Sequence, residues 1–165
     1  MCIRDSHREG GRLNEAAEQT AATAAAAAPA YPEIVPGAEY GPVRIHLERE
    51  SMVRYAGASG DFNPIHYRDD IASAAGLPGV LAHGMLTMGA AIDPLVGWLA
   101  AGDPGRVTDY QVRFTRPVVV DPQTGADLDV TVEVTDCSAD AISAALTVVC
   151  AGVTVLGRAR ATVRR

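Results

Sequence analysis

The chain has 165 residues, a formal net charge of −6 and 48% apolar residues. That length supplies one domain with a real core and excludes two full domains. The acidity excludes nucleic acid as the main partner, because a phosphate-binding surface needs clustered Lys and Arg. The basic residues near the end, Arg158, Arg160, Arg164 and Arg165, read as solvated strand and tail positions. Cys2, Cys137 and Cys150 stand far apart, with no CxxC pair or His-rich spacing, so no metal site is expected. A reduced, cytoplasmic compartment fits them, with Cys137 and Cys150 in or near the core. No apolar run approaches the roughly 18 to 20 residues that span a bilayer, and no membrane role is expected. The start lacks the charged, apolar and small-residue order of a secretory signal.

Residues 1–30 combine a polar stretch with the low-complexity run TAAAAAPA. They have little to bury, so a disordered tail is expected. The opening MCIRDS resembles a translated sequencing adaptor, and the native start is expected downstream of it. A single domain is expected over 31–165. It opens on a turn-rich stretch with Pro32, Pro36, Gly37, Gly41 and Pro42. Residues 43–47 alternate as a short strand. Met52, Val53, Tyr55 and Ala56 then recur at helical spacing, and Gly57 and Gly60 are expected to end that helix.

From His83 to about Ala101 the chain is apolar on nearly every side, which predicts a buried helix. Pro94 lies inside it and predicts a kink or break. The last third switches to period two. Tyr110, Val112 and Phe114 alternate with Gln111, Arg113 and Thr115. The segment DLDVTVEVTD alternates strictly, and two further strands follow, joined through Ala151 and Gly152. The expected fold class is α+β, with an antiparallel meander laid on one long helix.

The chemistry-bearing stretch runs from Tyr55 to His66. Asp61 and His66 stand five apart in a loop set by Gly60 and Pro64, with Asn63 placed to stabilise a turn. Asp-x-Asn-Pro by itself is a common turn, and an isolated Asp–His pair is more often structural than catalytic. The wider pattern carries more. The run Tyr55-Ala56-Gly57-x-Ser59-Gly60-Asp61-x-Asn63-Pro64-Ile65-His66, with Ala72 beyond it, resembles the hydratase-2 motif of MaoC-like dehydratases. Ala82-His83-Gly84-Met85-Leu86 and Arg113-Phe114-x-x-Pro117-Val118 resemble that family's central-helix start and following strand. Within the family, His83 to Gly89 and Gly102-Asp103-Pro104-Gly105 are most similar to the B subunit of mycobacterial-type (3R)-hydroxyacyl-ACP dehydratases.

The resemblance covers about residue 35 to the end and implies a hot-dog fold: an antiparallel sheet wrapped around a buried helix. It implies Asp61 and His66 as a catalytic dyad, the Gly84 N–H as an oxyanion donor, and Asn63 as a residue that shapes the loop. The implied reaction is reversible dehydration of a (3R)-hydroxyacyl thioester, carried on CoA or acyl carrier protein, with no metal or organic cofactor. A proton must leave C2 and a hydroxyl must leave C3, so a group within hydrogen-bond reach must serve as acid or base. Histidine's ordinary pKa of about 6.5 suits both roles. Charge developing on the thioester oxygen calls for a donor, and helix-start N–H groups are free. His83 reads as packed and hydrogen-bonded, and Tyr55 as packing the first helix onto the core. Arg113 reads as a structural strand residue. Met85, Leu86, Met88 and Trp98 read as core or acyl-pocket lining. Relatives often carry Thr where Glu48 stands, and Glu is a weaker helix cap.

Two other functions are compatible with a hot-dog fold. A hot-dog thioesterase would place its carboxylate elsewhere. A non-catalytic acyl-binding subunit would lack Asp61 or His66. The resemblance further implies a dimer, because such active sites lie between two hot dogs, with a dyad-free partner chain favoured over a second copy. Residues 1–30 have no apolar periodicity with which to dock. Their deletion is expected to leave activity and melting temperature almost unchanged, which calorimetry and an activity assay on the truncated chain would check.

Overall fold

Alternation of apolar and polar residues organises the sheet. In chain order, the computed structural model runs β1 (Glu39–Leu47), α1 (Arg49–Ser59), α2 (Asp69–Ala74), α3 (Gly84–Leu99), β2 (Val107–Phe114), β3 (Ala126–Cys137), β4 (Ala141–Cys150) and β5 (Val153–Arg164). It describes residues 31–165, so the expectations for 1–30 lie outside the described residues. In β3, Leu128, Val130, Val132 and Val134 are fully buried, while Asp127 and Glu133 on the other face are exposed. Those outward residues pair across to β1. Arg44 bonds Asp129 at 2.9 Å, and His46 Nδ1 lies 2.6 Å from Asp127. Opposite charges facing across an antiparallel pair hold register as well as solubility.

The sheet order is β1-β3-β4-β5-β2, and every pairing is antiparallel. β3, β4 and β5 form the expected meander, with β4 and β5 joined at Ala151 and Gly152, both at positive φ. β2 does not continue that meander, contrary to expectation. It lies at the far edge against β5. After β2 the chain leaves the sheet. The Ala82 N–H bonds the Val118 carbonyl at 2.8 Å, the Val120 N–H bonds the Val80 carbonyl at 2.9 Å, and Leu81 and Val119 form a bridge between them. A chain committed to that pairing cannot fold back as a hairpin into β3.

The sheet wraps α3, which gives the hot-dog arrangement. Thr87, Ala91, Pro94, Leu95, Trp98 and Leu99 are buried at i, i+4, i+7 spacing. Ala91, Leu95, Trp98 and Leu99 pack in one cluster with the inward residues of β3, β4 and β5. Burial on nearly every side was expected. Instead Gly84, Met85, Gly89 and Asp93 are exposed, because one sheet covers one side of a helix. No break occurs at Pro94 either: the helix runs unbroken from Gly84 to Leu99. Pro94 takes the donor from the Ala90 carbonyl, but tertiary packing of the buried face supplies most of a helix's stability.

Polar anchors fix the helix along its length. Trp98 Nε1 donates to the Pro32 carbonyl at 2.9 Å, and the Tyr40 ring lies 5.9 Å from the indole. Near the other end, the Tyr110 hydroxyl on β2 donates to the Met88 carbonyl at 3.1 Å. Burial pushes that phenol's pKa up to about 12, so it remains a donor. The four basic residues near the end are exposed, as expected, and Cys137 and Cys150 are half-buried free thiols. Among the described residues, no helix is long and apolar enough to cross a membrane.

Leu95 has no exposed surface and faces the centre of the sheet. Leu95→Ala keeps helix propensity and leaves a cavity, so it is expected to destabilise the fold by about 2–5 kcal/mol, measured by denaturant unfolding.

Candidate active site

The loop that carries Asp61 and His66 begins where α1 ends. Gly60 stands in the left-handed conformation at φ 76° and donates to the Ala56 carbonyl at 2.9 Å. A side chain there would strain the turn, so glycine is the residue that lets the chain leave the helix. Gly57, expected to share that task, lies inside α1. At the other end, Glu48 occupies the N-cap position, and its N–H donates to Ser51 Oγ at 3.3 Å. Ser51 thereby supplies local closure where the sequence suggested a weak cap.

Two side-chain turns shape the loop. The Asn63 N–H donates to Asp61 Oδ1 at 3.2 Å, and the Ile65 N–H donates to Asn63 Oδ1 at 3.3 Å. Asn63 itself is extended, at φ −59° and ψ 122°, as the following proline requires. Pro64 opens a single 3-10 turn, Pro64–His66, at the position where a missing N–H costs nothing. α2 follows directly, where the sequence pattern predicts loop. Its fully buried Ala72 anchors it, and Arg49 bridges it to the rest. Arg49 donates through Nε to the Val120 carbonyl at 2.6 Å and to Asp69 at 2.9 Å. That guanidinium holds the Asp69 carboxyl below the usual carboxylate range. The sequence gives no local signal for Arg49, since an arginine near a helix start is commonplace and its partners lie far along the chain.

His66 is buried and meets Leu81, fifteen residues further on. Its Nδ1 lies 2.7 Å from the Leu81 carbonyl, and the Leu81 N–H returns a bond to the Ile65 carbonyl at 3.2 Å. A carbonyl only accepts, so Nδ1 carries the hydrogen and the neutral ring has a bare Nε2. That Nε2 lies 3.9 Å from Asp61 Oδ2. The gap is too long for a direct bond and wide enough for one oxygen to bond both groups. The His66 side chain is 11% exposed and that of Asp61 52% exposed. The loop thus brings the two predicted residues together, one enclosed and one wet.

Gly84 begins α3, so its N–H has no intrahelical acceptor, and the positive end of the helix dipole adds to it. A Cβ at Gly84 would sit 3.2 Å from the Phe114 ring. Phe114 does not turn inward with Tyr110 and Val112; it is 51% exposed, and its ring edge lies against one side of Gly84. A cavity of about 300 Å³ opens beside this glycine, lined by Thr87, Phe114, Thr115, Arg116 and Val118 among others. Arg113 is an exposed strand residue, Trp98 is core, and Met85 lies 57% exposed on the uncovered side of α3. Tyr55 packs on the His83 ring at 4.8 Å rather than on the core.

Asp61, His66 and His83 each offer a ligand atom, all within 4.8 Å of one another. Their geometry suits proton chemistry better than a metal. The two imidazoles are stacked, with centroids 3.8 Å apart and planes inclined by 24°. A metal binds in the plane of its imidazole at about 2.0–2.1 Å. Lying in the plane of one ring, it would fall well outside the plane of the other.

A hot-dog sheet with an Asp–His loop, whose histidine stacks on the residue just before the helix-start glycine, defines a class of small α+β domains. Comparison with known proteins places the chain within it: residues 33–155 match the MaoC like domain, and the chain belongs to that family. Among curated relatives, 3-hydroxyacyl-thioester dehydratase Y of Mycobacterium tuberculosis is 37% identical over 94 residues, covering 56% of this chain and 31% of that protein. Peroxisomal enoyl-CoA hydratase 2 of Arabidopsis thaliana is 38% identical over 60 residues, covering 36% of this chain and 19% of that one. The fatty acid synthase β subunit TOXC of Cochliobolus carbonum is matched over only 4% of its length. The chain thus spans a minor part of these relatives. A solved MaoC-like dehydratase superposes with a TM-score of 0.75 at 37% identity, over 83% of this chain and 42% of that one. The (R)-hydratase of A. caviae superposes at 0.67 with 21% identity, covering 79% of this chain and 96% of the other, a likeness of fold.

Proposed function

We propose that the chain catalyses reversible dehydration of (3R)-hydroxyacyl thioesters to trans-2-enoyl thioesters, on CoA or acyl carrier protein. The observation that carries this reading is the bare His66 Nε2 facing Asp61 Oδ2 across 3.9 Å. In the hydration direction a water bonded to both groups gives its oxygen to C3. One of its protons passes to the dyad, and a proton is delivered to C2, so the elements of water are added and nothing is oxidised or reduced. Charge that gathers on the thioester oxygen is met by the Gly84 N–H, and a donor of this kind is worth about 100- to 1000-fold in rate. Asn63, Gly60 and Pro64 hold the loop that spaces the dyad. The steps call for no cofactor. The names of the mycobacterial and plant relatives agree with this chemistry. The free thiols Cys137 and Cys150 suit a reducing cytoplasm.

The domain acts as a dimer in this reading. Phe62, Met85, Phe114 and Val119 are large apolar side chains left at least 36% exposed on the elements around the site, and β1 and β2 are open sheet edges. One solved fold neighbour is a two-protein assembly, the ChsH1–ChsH2 complex of Mycobacterium tuberculosis. A dyad-free hot-dog chain is the favoured partner and a second copy the alternative.

With a trans-2-enoyl thioester, loss of the conjugated absorbance without thiol release is the expected result; thiol release would instead mean a thioesterase. Asp61→Asn and His66→Ala are each expected to slow hydration by at least about 100-fold with the fold intact. The double variant should lose little more, since the groups act as a unit. Near-normal turnover in either single variant would sink the assignment. For assembly, light scattering on the purified chain, alone and with candidate hot-dog partners, should report a dimer that is the active species. An active monomer would defeat that part.

A further inference from the structure

We propose that His83 is a positioning residue of this site, holding Asp61, His66 and Gly84 in one arrangement; the role rests on the hydration reading. Its Nε2 lies 3.1 Å from the backbone carbonyl of Asp61. The carbonyl only accepts, so Nε2 carries the hydrogen and Nδ1 is bare. That Nδ1 is buried, and among the described residues it has no hydrogen-bond partner. The residue is 2% exposed.

A histidine kept for packing alone would satisfy both nitrogens or be replaced by an aromatic ring of the same shape. His83 does neither, and its contacts explain why. One face of chemistry meets it on each side: its ring stacks on His66 at 3.8 Å, and the Tyr55 ring lies 4.8 Å away. Its own carbonyl receives the Thr87 N–H at 3.0 Å and the Thr87 hydroxyl at 3.2 Å, which locks the first turn of α3. Gly84 is the next residue. One side chain therefore touches the backbone of the acid and the ring of the base, and its peptide bond carries the oxyanion donor.

The role separates into a stack and a donor, and two variants separate them. His83→Phe keeps the flat ring and removes both the donor and the unpaired nitrogen. His83→Gln keeps an N–H in place of Nε2 without the ring. In the His83→Phe variant, kcat for enoyl-thioester hydration is expected to fall about 10- to 100-fold, the scale of a misplaced catalytic group. KM should stay within about threefold and the melting temperature close to that of the parent. His83→Gln is expected to recover much of that loss. Parent-like kcat in His83→Phe, or activity that falls in step with melting temperature across both variants, would overturn the proposal. Nitrogen-15 NMR of the unmodified protein tests it without turnover, with His83 expected as the Nε2–H tautomer. Observation of His83 as the Nδ1–H tautomer would also overturn it. A parent protein that hydrates no enoyl thioester would count against the function, while the NMR result would still decide the placement of His83.

Discussion

The Leu81 carbonyl is the contact on which the site depends. It accepts from His66 Nδ1 at 2.7 Å and so decides which imidazole nitrogen is free. Nothing near His66 in sequence could do this. The carbonyl is in place because residues 80–82 are paired with 118–120, and because the Leu81 N–H is bound to the Ile65 carbonyl. Arg49 fastens the same arrangement from below through the Val120 carbonyl and Asp69. The tautomer of one ring is thus the end result of a chain path that leaves β2, crosses beside the head of α3 and only then enters β3. The same path is what removes β2 from the meander, so topology and chemistry share one cause.

Much of this was legible in the sequence, for physical reasons that differ by segment. β3 was plain because each of its residues faces either the core or water, and alternation records that directly. The Asp61–His66 loop was legible because Gly60, Asn63 and Pro64 each impose a local backbone state that survives in any context. What could not be read is what depends on distant partners. Pro94 signals a kink or break in isolation, but the buried face around it keeps the helix continuous past it. Phe114 alternates with core residues and still turns outward, because Gly84 leaves room for its ring edge. Arg49 and the Leu81 carbonyl act across long sequence separations, and no local pattern marks them. α2 is short, and its apolar content is too small for periodicity to register.

The uncovered side of α3 follows from the same geometry. The sequence from Gly84 to Leu99 has a single charged residue, Asp93, yet the sheet covers only one face. On the uncovered side one large apolar side chain of the helix, Met85, stays exposed, and Phe114 at the end of β2 is exposed as well. The proposed dimer would cover a surface of that kind and the sheet edges left unpaired among the described residues.

The unequal environments of the two dyad groups give the arrangement its direction. His66 is enclosed, tied at one nitrogen, and free only at the other. Asp61 is half in water, with one oxygen committed to the Asn63 N–H and the other turned to His66. A group tied at one atom can exchange a proton only along one line, whereas a wet carboxylate can receive or release water. In the proposed reaction, the enclosed imidazole sets where the proton is transferred, and the exposed carboxylate connects that point to solvent. Were both groups buried, the water that the proposed reaction adds or removes would have no route. Were both exposed, nothing would hold the 3.9 Å spacing across which a single oxygen can be shared.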